Sequence, residues 1–225
     1  MPEGDRARFM DRTDAGRQLA DRLASRAFHD PVVLALPRGG VPVGREIALR
    51  LHAPLDLLLV RKIGAPRESE YAIGAVMEGS PLRRVIDPDA VRHARATDAY
   101  IEAETKRQLD IIARQRPLYL AGRKPMELAG RDVVVADDGV ATGSTVRVAL
   151  QGLRAAGPAS ILLAVPVGPH DAVAGLAEEF DGVVCLREPV EFRSVGDFYA
   201  DFTQVTDAEV VEALNVPENA ASKPG

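Results

Sequence analysis

Val133-Val134-Val135-Ala136-Asp137-Asp138-Gly139-Val140-Ala141-Thr142-Gly143-Ser144-Thr145 decides how this chain is read. Three consecutive β-branched residues predict a strand buried on both faces, as in a parallel sheet. Asp137 and Asp138 follow at its carboxyl end, where open α/β sheets bind ligands. Ala141, Thr142, Gly143, Ser144 and Thr145 then form a small-residue turn that opens a helix. Such a turn presents backbone N–H groups, hydroxyls and a helix N-terminus, all suited to an anion. Carboxylates on one side and an anion cradle on the other suit a ligand with sugar hydroxyls and a phosphate, such as a ribose 5-phosphate.

The pattern resembles the phosphoribosyl-pyrophosphate (PRPP) motif of the type I phosphoribosyltransferases, in which two acidic residues after an apolar strand precede a loop of the Thr-Gly-x-Thr kind. The resemblance implies that Asp137 and Asp138 hold the ribose hydroxyls. It implies that Ala141, Thr142, Gly143, Ser144 and Thr145 wrap the 5-phosphate. Mg2+ is the implied cofactor, and Asp137 and Asp138 reach it through water or the ribose hydroxyls. The fold expected is α/β: a doubly wound, mainly parallel sheet with an elaborated hood or lid.

Upstream, Leu34-Ala35-Leu36-Pro37-Arg38-Gly39-Gly40-Val41 lies at a strand-to-helix junction. Gly39 and Gly40 permit close backbone approach to a ligand, and Arg38 with the helix N-terminus supplies positive potential. The segment is similar to the diphosphate loop of the same family, which implies a cis peptide between Pro37 and Arg38. Arg61 and Lys62 are expected directly after the second strand, at its carboxyl end, and resemble an Arg-Lys pair that contacts the leaving diphosphate. Catalytic roles are thus expected for Asp137, Asp138, Arg38 and Lys62. The polar stretch from Gly64 to Ser69 is expected to be a mobile lid. Gly122-Arg123-Lys124 reads as a solvated loop.

Near the end, the stretch from Glu188 to Phe202 holds four of the ten Phe and Tyr residues, Phe192, Phe198, Tyr199 and Phe202. It resembles the base-covering segment of hypoxanthine-guanine enzymes, with Phe192 as the base contact and Phe198 and Phe202 equally suited to core packing. In those enzymes an aspartate at the position of Ala141 acts on the base. Alanine cannot, so the acceptor stays open between a nucleobase and another amine.

The rest of the chain is consistent with one domain. Of 225 residues, 46% are hydrophobic and 27% charged, an ordinary globular balance. Residues 1–216 read as that domain, 61–130 as an elaboration at its ligand-facing edge, and 217–225 as a disordered polar tail. Helices are expected over 11–28, 41–51, 144–156 and 170–180 and from residue 207 on, strands over 32–36, 55–60, 72–76, 132–137, 160–166 and 183–186. A long solvated helix is expected over 87–116, broken by Pro117. A net charge of −5 argues against nucleic acid as a partner, and no run reaches membrane-spanning length. The lone Cys185 sits in an apolar strand pattern, and His29, His52, His93 and His170 lack metal-ligand spacing. Without the apolar core of a signal peptide at its start, the chain is expected in the cytoplasm. The family further implies a homodimer and nucleotide salvage.

The pattern looks most like a group of bacterial predicted phosphoribosyltransferases of unassigned acceptor. Its reading is Mg-dependent transfer from PRPP to a nitrogenous base or related amine. The alternatives are a PRPP- or nucleotide-sensing regulator without catalysis and a ribosyl-phosphate hydrolase.

Overall fold

Five parallel strands carry the site: β1 (Val32–Ala35), β2 (Leu55–Leu57), β6 (Asp132–Ala136), β7 (Ser160–Val167) and β8 (Gly182–Arg187), in the order β2-β1-β6-β7-β8. The computed structural model describes residues 8–77, 83–120, 123 and 125–215; Gly122, Lys124 and the expected tail lie outside them. The helices that cover this sheet are α1 (Arg12–Leu23), α2 (Gly40–Leu51), α5 (Ser144–Arg154), α6 (His170–Glu179) and α7 (Asp207–Leu214). The continuous apolar runs have a simple cause. Val33, Ala35, Val134, Ala136, Leu162 and Ala164 face a core shared with α1, α2 and α7. Their neighbours Val32, Leu34, Val133, Val135, Ile161 and Leu163 face a second core with α5 and α6. A strand buried on both faces has no polar side, so alternation disappears. The doubly wound α/β expectation holds.

A second sheet, β3 (Val60–Ala65), β4 (Glu68–Met77) and β5 (Arg83–Ile86), is antiparallel. The single strand expected over 55–60 is therefore two strands in two sheets. Arg61 and Lys62 lie inside β3 rather than after a core strand, and the expected lid is a hairpin paired across Ala65 and Glu68. The 72–76 strand is the far half of the longer β4.

The expected helix over 87–116 is also two elements, α3 (Pro88–Ala94) and α4 (Asp98–Leu120). Arg95 adopts a left-handed conformation (φ 51°) that ends α3. Pro117 lies within the last turn of α4 and does not end it. Nor is α4 a solvated rod: Ile101, Thr105, Gln108, Ile112, Tyr119 and Leu120 are buried as it packs on β3 and α7. The remaining helix boundaries move by a few residues. At α1, Asp11 caps the N-terminus, its side chain accepting from Asp14 N.

At the amino ends of the strands, opposite the site, Asp132 accepts from His29 N and from Ser160 Oγ, both at 2.6 Å. Asp132→Ala removes both acceptors, and the expected cost is about 1–3 kcal/mol. The urea midpoint should fall with an unchanged slope, and ligand affinity at the far edge should not move.

Candidate active site

Asp137 leaves β6 where the parallel ladder ends, its N–H directed to Ala164 O at 3.4 Å. Its Oδ1 accepts from Asp138 N at 2.9 Å. Burial and the neighbouring Asp138 charge push the Asp137 carboxyl well above the usual carboxylate range. Asp138 is also raised by burial, against the opposing pull of Arg12. Arg12 Nε donates to Asp138 Oδ2 at 2.7 Å, and that guanidinium also reaches Thr203 O at 2.8 Å and lies 3.9 Å over the Phe202 ring. Tyr199 Oη donates to Asp138 O at 2.6 Å. Neither Arg12 nor Tyr199 carries a sequence signature for this role: each reaches Asp138 only through the chain's return.

The turn after the acidic pair is built as the sequence suggests. Gly143 takes φ 73°, and a Cβ there would crowd the Leu176 side chain. It is the N-cap of α5 and offers no side-chain cap, while the Ser144 N–H turns back to Thr142 Oγ1 at 3.4 Å. Ala141, Thr142, Ser144 and Thr145 are exposed, while Gly143 and Val146 point inward. Arg147 donates to Thr142 O at 2.8 Å and to Glu179 Oε1 at 2.6 Å, tying the turn to α6.

The Pro37–Arg38 peptide is cis, as expected. Gly39 lies directly against Asp138, whose carboxylate a Cβ would overlap, and at Gly40 a Cβ would come 2.6 Å from Ala136 O. The two loops are thus interlocked edge to edge. Arg38 is half-exposed, with Nη1 3.4 Å from Asp207 Oδ1. Arg61 Nη2 donates to Gln115 Oε1 at 3.0 Å. Despite their different sheet, Arg61 and Lys62 line a cleft of about 370 Å³ with Thr145, Val148, Tyr100 and Arg107. Both cations therefore border the start of α5. Arg123 is exposed, as its solvated reading expects, and donates to Leu214 O at 3.2 Å and Asn215 Oδ1 at 3.2 Å, closing α7.

Beside the acidic pair, the segment before α1 packs on the segment after β8. Phe9 bridges to Tyr199, and Phe192 stacks on Phe198 with centroids 5.7 Å apart and planes at 16°. Phe192 is half-buried, and Phe202 remains 37% exposed against Arg12. The Cys185 thiol is pushed up to about 11, chiefly by burial, which suits a packing residue and not a nucleophile. His170 bonds Glu188 at 2.8 Å on the surface. Among the described residues, no three His, Cys, Asp or Glu converge as a metal cage, and no helix is long and apolar enough to cross a membrane.

A family model for the phosphoribosyl transferase domain matches residues 11–188. The chain belongs to the phosphoribosyl transferase family. Two Mycobacterium tuberculosis proteins, from strains CDC 1551 / Oshkosh and ATCC 25618 / H37Rv, carry the provisional name phosphoribosyl transferase. Each is 47% identical over 207 residues, 92% of this chain. The match covers 46% of their length, so the chain spans about half of those relatives. The crystal structure of TT1426 from Thermus thermophilus is 44% identical with a TM-score of 0.83, covering 92% of this chain and 97% of that one. The phosphoribosyl transferase match includes both interlocked loops, β3 and the cradle.

Proposed function

We propose that this chain transfers the phosphoribosyl group of PRPP to a nitrogen nucleophile and releases diphosphate. The observation that supports the reading is the contact of Gly39 with Asp138, which puts the Pro37–Gly40 loop and the acidic pair edge to edge. In the reaction the C1–O bond to diphosphate breaks, a C1–N bond forms, and the acceptor nitrogen loses a proton to solvent. The transition state has oxocarbenium character, so the protein's contribution is positioning and charge stabilisation.

In this reading Asp137 and Asp138 accept from the ribose 2′- and 3′-hydroxyls. Residues 141–145 present amides and hydroxyls to the 5-phosphate. Arg38, Gly39, Gly40, Arg61 and Lys62 face the diphosphate, and Phe192 with Phe198 offers a flat wall to the acceptor. A recessed acidic pair raised chiefly by burial, with the Asp138 charge adding to the rise at Asp137, fits a hard divalent cation, and Asp137 and Asp138 would hold it through water or ribose hydroxyls. Mg2+, when bound, supplies neutralisation of diphosphate charge. Ala141 leaves the turn without a side-chain base, so acceptors that ionise readily or attack as neutral amines are favoured.

The test follows diphosphate release from PRPP and Mg2+ across purines, pyrimidines and small amines. Acceptor-dependent release is the expected result. Release without any acceptor would instead indicate hydrolysis, and PRPP binding without turnover a sensor; either outcome overturns transfer.

A further inference from the structure

Helix α4 reaches two cations that stand far from it in sequence. Gln115 Oε1 accepts from Arg61 Nη2 at 3.0 Å. One turn later, on the same face, Tyr119 Oη donates to Asp207 Oδ1 at 2.6 Å. That oxygen is also the one 3.4 Å from Arg38 Nη1. Three segments therefore meet at a single carboxylate: the loop after β1, the last turns of α4 and the start of α7. The meeting point is itself held. Thr206 and Glu209 form a reciprocal capping box that fixes the first turn of α7, where Asp207 sits.

Tyr119 is 5% exposed. Burial first, and then its bond to Asp207, pushes its phenol up to about 12, so it remains a donor at any working pH. The positive charges of Arg38 and Arg61 both oppose that rise. Asp207 engages one nitrogen of Arg38 at long range, and a guanidinium has five N–H donors. The contact therefore aims Arg38 while leaving donors for a ligand. An unheld arginine would lose its rotamer freedom on binding and weaken that binding accordingly.

We propose that α4 aims two of the three cations on the diphosphate side of the site, Arg38 and Arg61, with Gln115, Tyr119 and Asp207 as positioning residues. The inference rests on the donor-site reading above. It gives a role to a helix whose polar sequence reads as a solvated rod.

The experiment is calorimetric titration of the full chain with inorganic diphosphate and, separately, with ribose 5-phosphate, in Mg2+ buffer. Tyr119→Phe and Gln115→Met should each raise the dissociation constant for diphosphate by about 3–10-fold. Affinity for ribose 5-phosphate should stay within about twofold, because the hydrogen bonds of these side chains go to Asp207 and Arg61 and not to the cradle at 141–145. Adding Tyr119→Phe to Asp207→Ala should weaken diphosphate no further, since the hydroxyl acts through that carboxylate. Thr105→Val, on the same helix, removes a buried hydroxyl without a hydrogen-bond partner and should change neither affinity. Equal loss for both ligands, no loss, or tighter diphosphate binding overturns the positioning role. A wild-type chain that binds neither ligand overturns the donor-site reading and the inference together, whereas wild-type binding unmoved by the variants overturns the inference alone.

Discussion

Replacing Asp137 and Asp138 together with asparagine is expected to lower PRPP affinity by roughly 10²–10⁴-fold with the fold intact. Hydrogen bonds to a charged acceptor contribute about 1.5–3 kcal/mol each, and two are lost. The amide introduced at Asp137 would keep an oxygen for the backbone N–H of the next residue, so that local bond survives the change. Stability should move the opposite way for the single Asp137→Asn variant. Burial and the Asp138 charge raise the folded-state pKa above the unfolded value, so the native chain binds that proton more tightly than the unfolded one. Wild type therefore loses stability as pH rises from the unfolded pKa through the folded one, and the amide variant does not. The gain over wild type should be smallest near pH 4, grow toward pH 8, and reach of the order of 1–3 kcal/mol. Melting curves at several pH values measure it, at roughly 2–4 °C per kcal/mol for a chain of this size. A variant whose advantage shrinks with rising pH would contradict the assigned cause. Retained PRPP affinity in a folded double variant would contradict the ribose role.

The parts of the fold read correctly from sequence are those whose energetics are local. Val32 to Leu36 and Val133 to Ala136 are apolar without interruption because both faces of the sheet are covered, and their bounds are legible to within a residue or two. The errors arise where tertiary contacts override local signals. Leu55 to Val60 reads as one strand because no glycine or proline marks the switch between sheets. The end of α3 falls at Arg95, a non-glycine residue in a left-handed conformation, which composition does not announce. Pro117 is a breaker by propensity, yet Tyr119 and Leu120 beyond it are buried against the core, and that packing retains the last turn of α4.

The site divides in the same way. Its two loops are contiguous motifs and are legible down to the cis peptide. The side chains that orient them are not contiguous with anything. Arg12 stands 126 residues from Asp138, and Asp207 stands 169 from Arg38. Such pairs exist only because the parallel sheet brings its carboxyl ends to one edge. The aromatic cluster near the acidic pair shows the same dependence on chain return: Phe9 N donates to Phe198 O at 2.9 Å, joining segments far apart in sequence. The hydrophobic pattern predicts that edge, but not which arginine reaches across it.

Gly39→Ala is the most economical disruption of the site because it adds only one carbon. A Cβ at that position overlaps the Asp138 carboxylate, and Asp138 has little room to retreat: Arg12 holds its side chain and Tyr199 its carbonyl. Overpacking of this kind costs about 1–3 kcal/mol. Any relief must come from parting the two loops, so affinity for PRPP should fall at least about tenfold along with stability. A second substitution separates the two effects. Asp138→Ala removes the atoms in the way, so Gly39→Ala should cost far less stability in that background than in wild type. PRPP affinity should stay low, because the carboxylate proposed to hold the ribose is gone. Recovery of melting temperature without recovery of binding is the expected signature of the interlock. Equal destabilisation by Gly39→Ala in both backgrounds would show that the loops do not meet at this glycine.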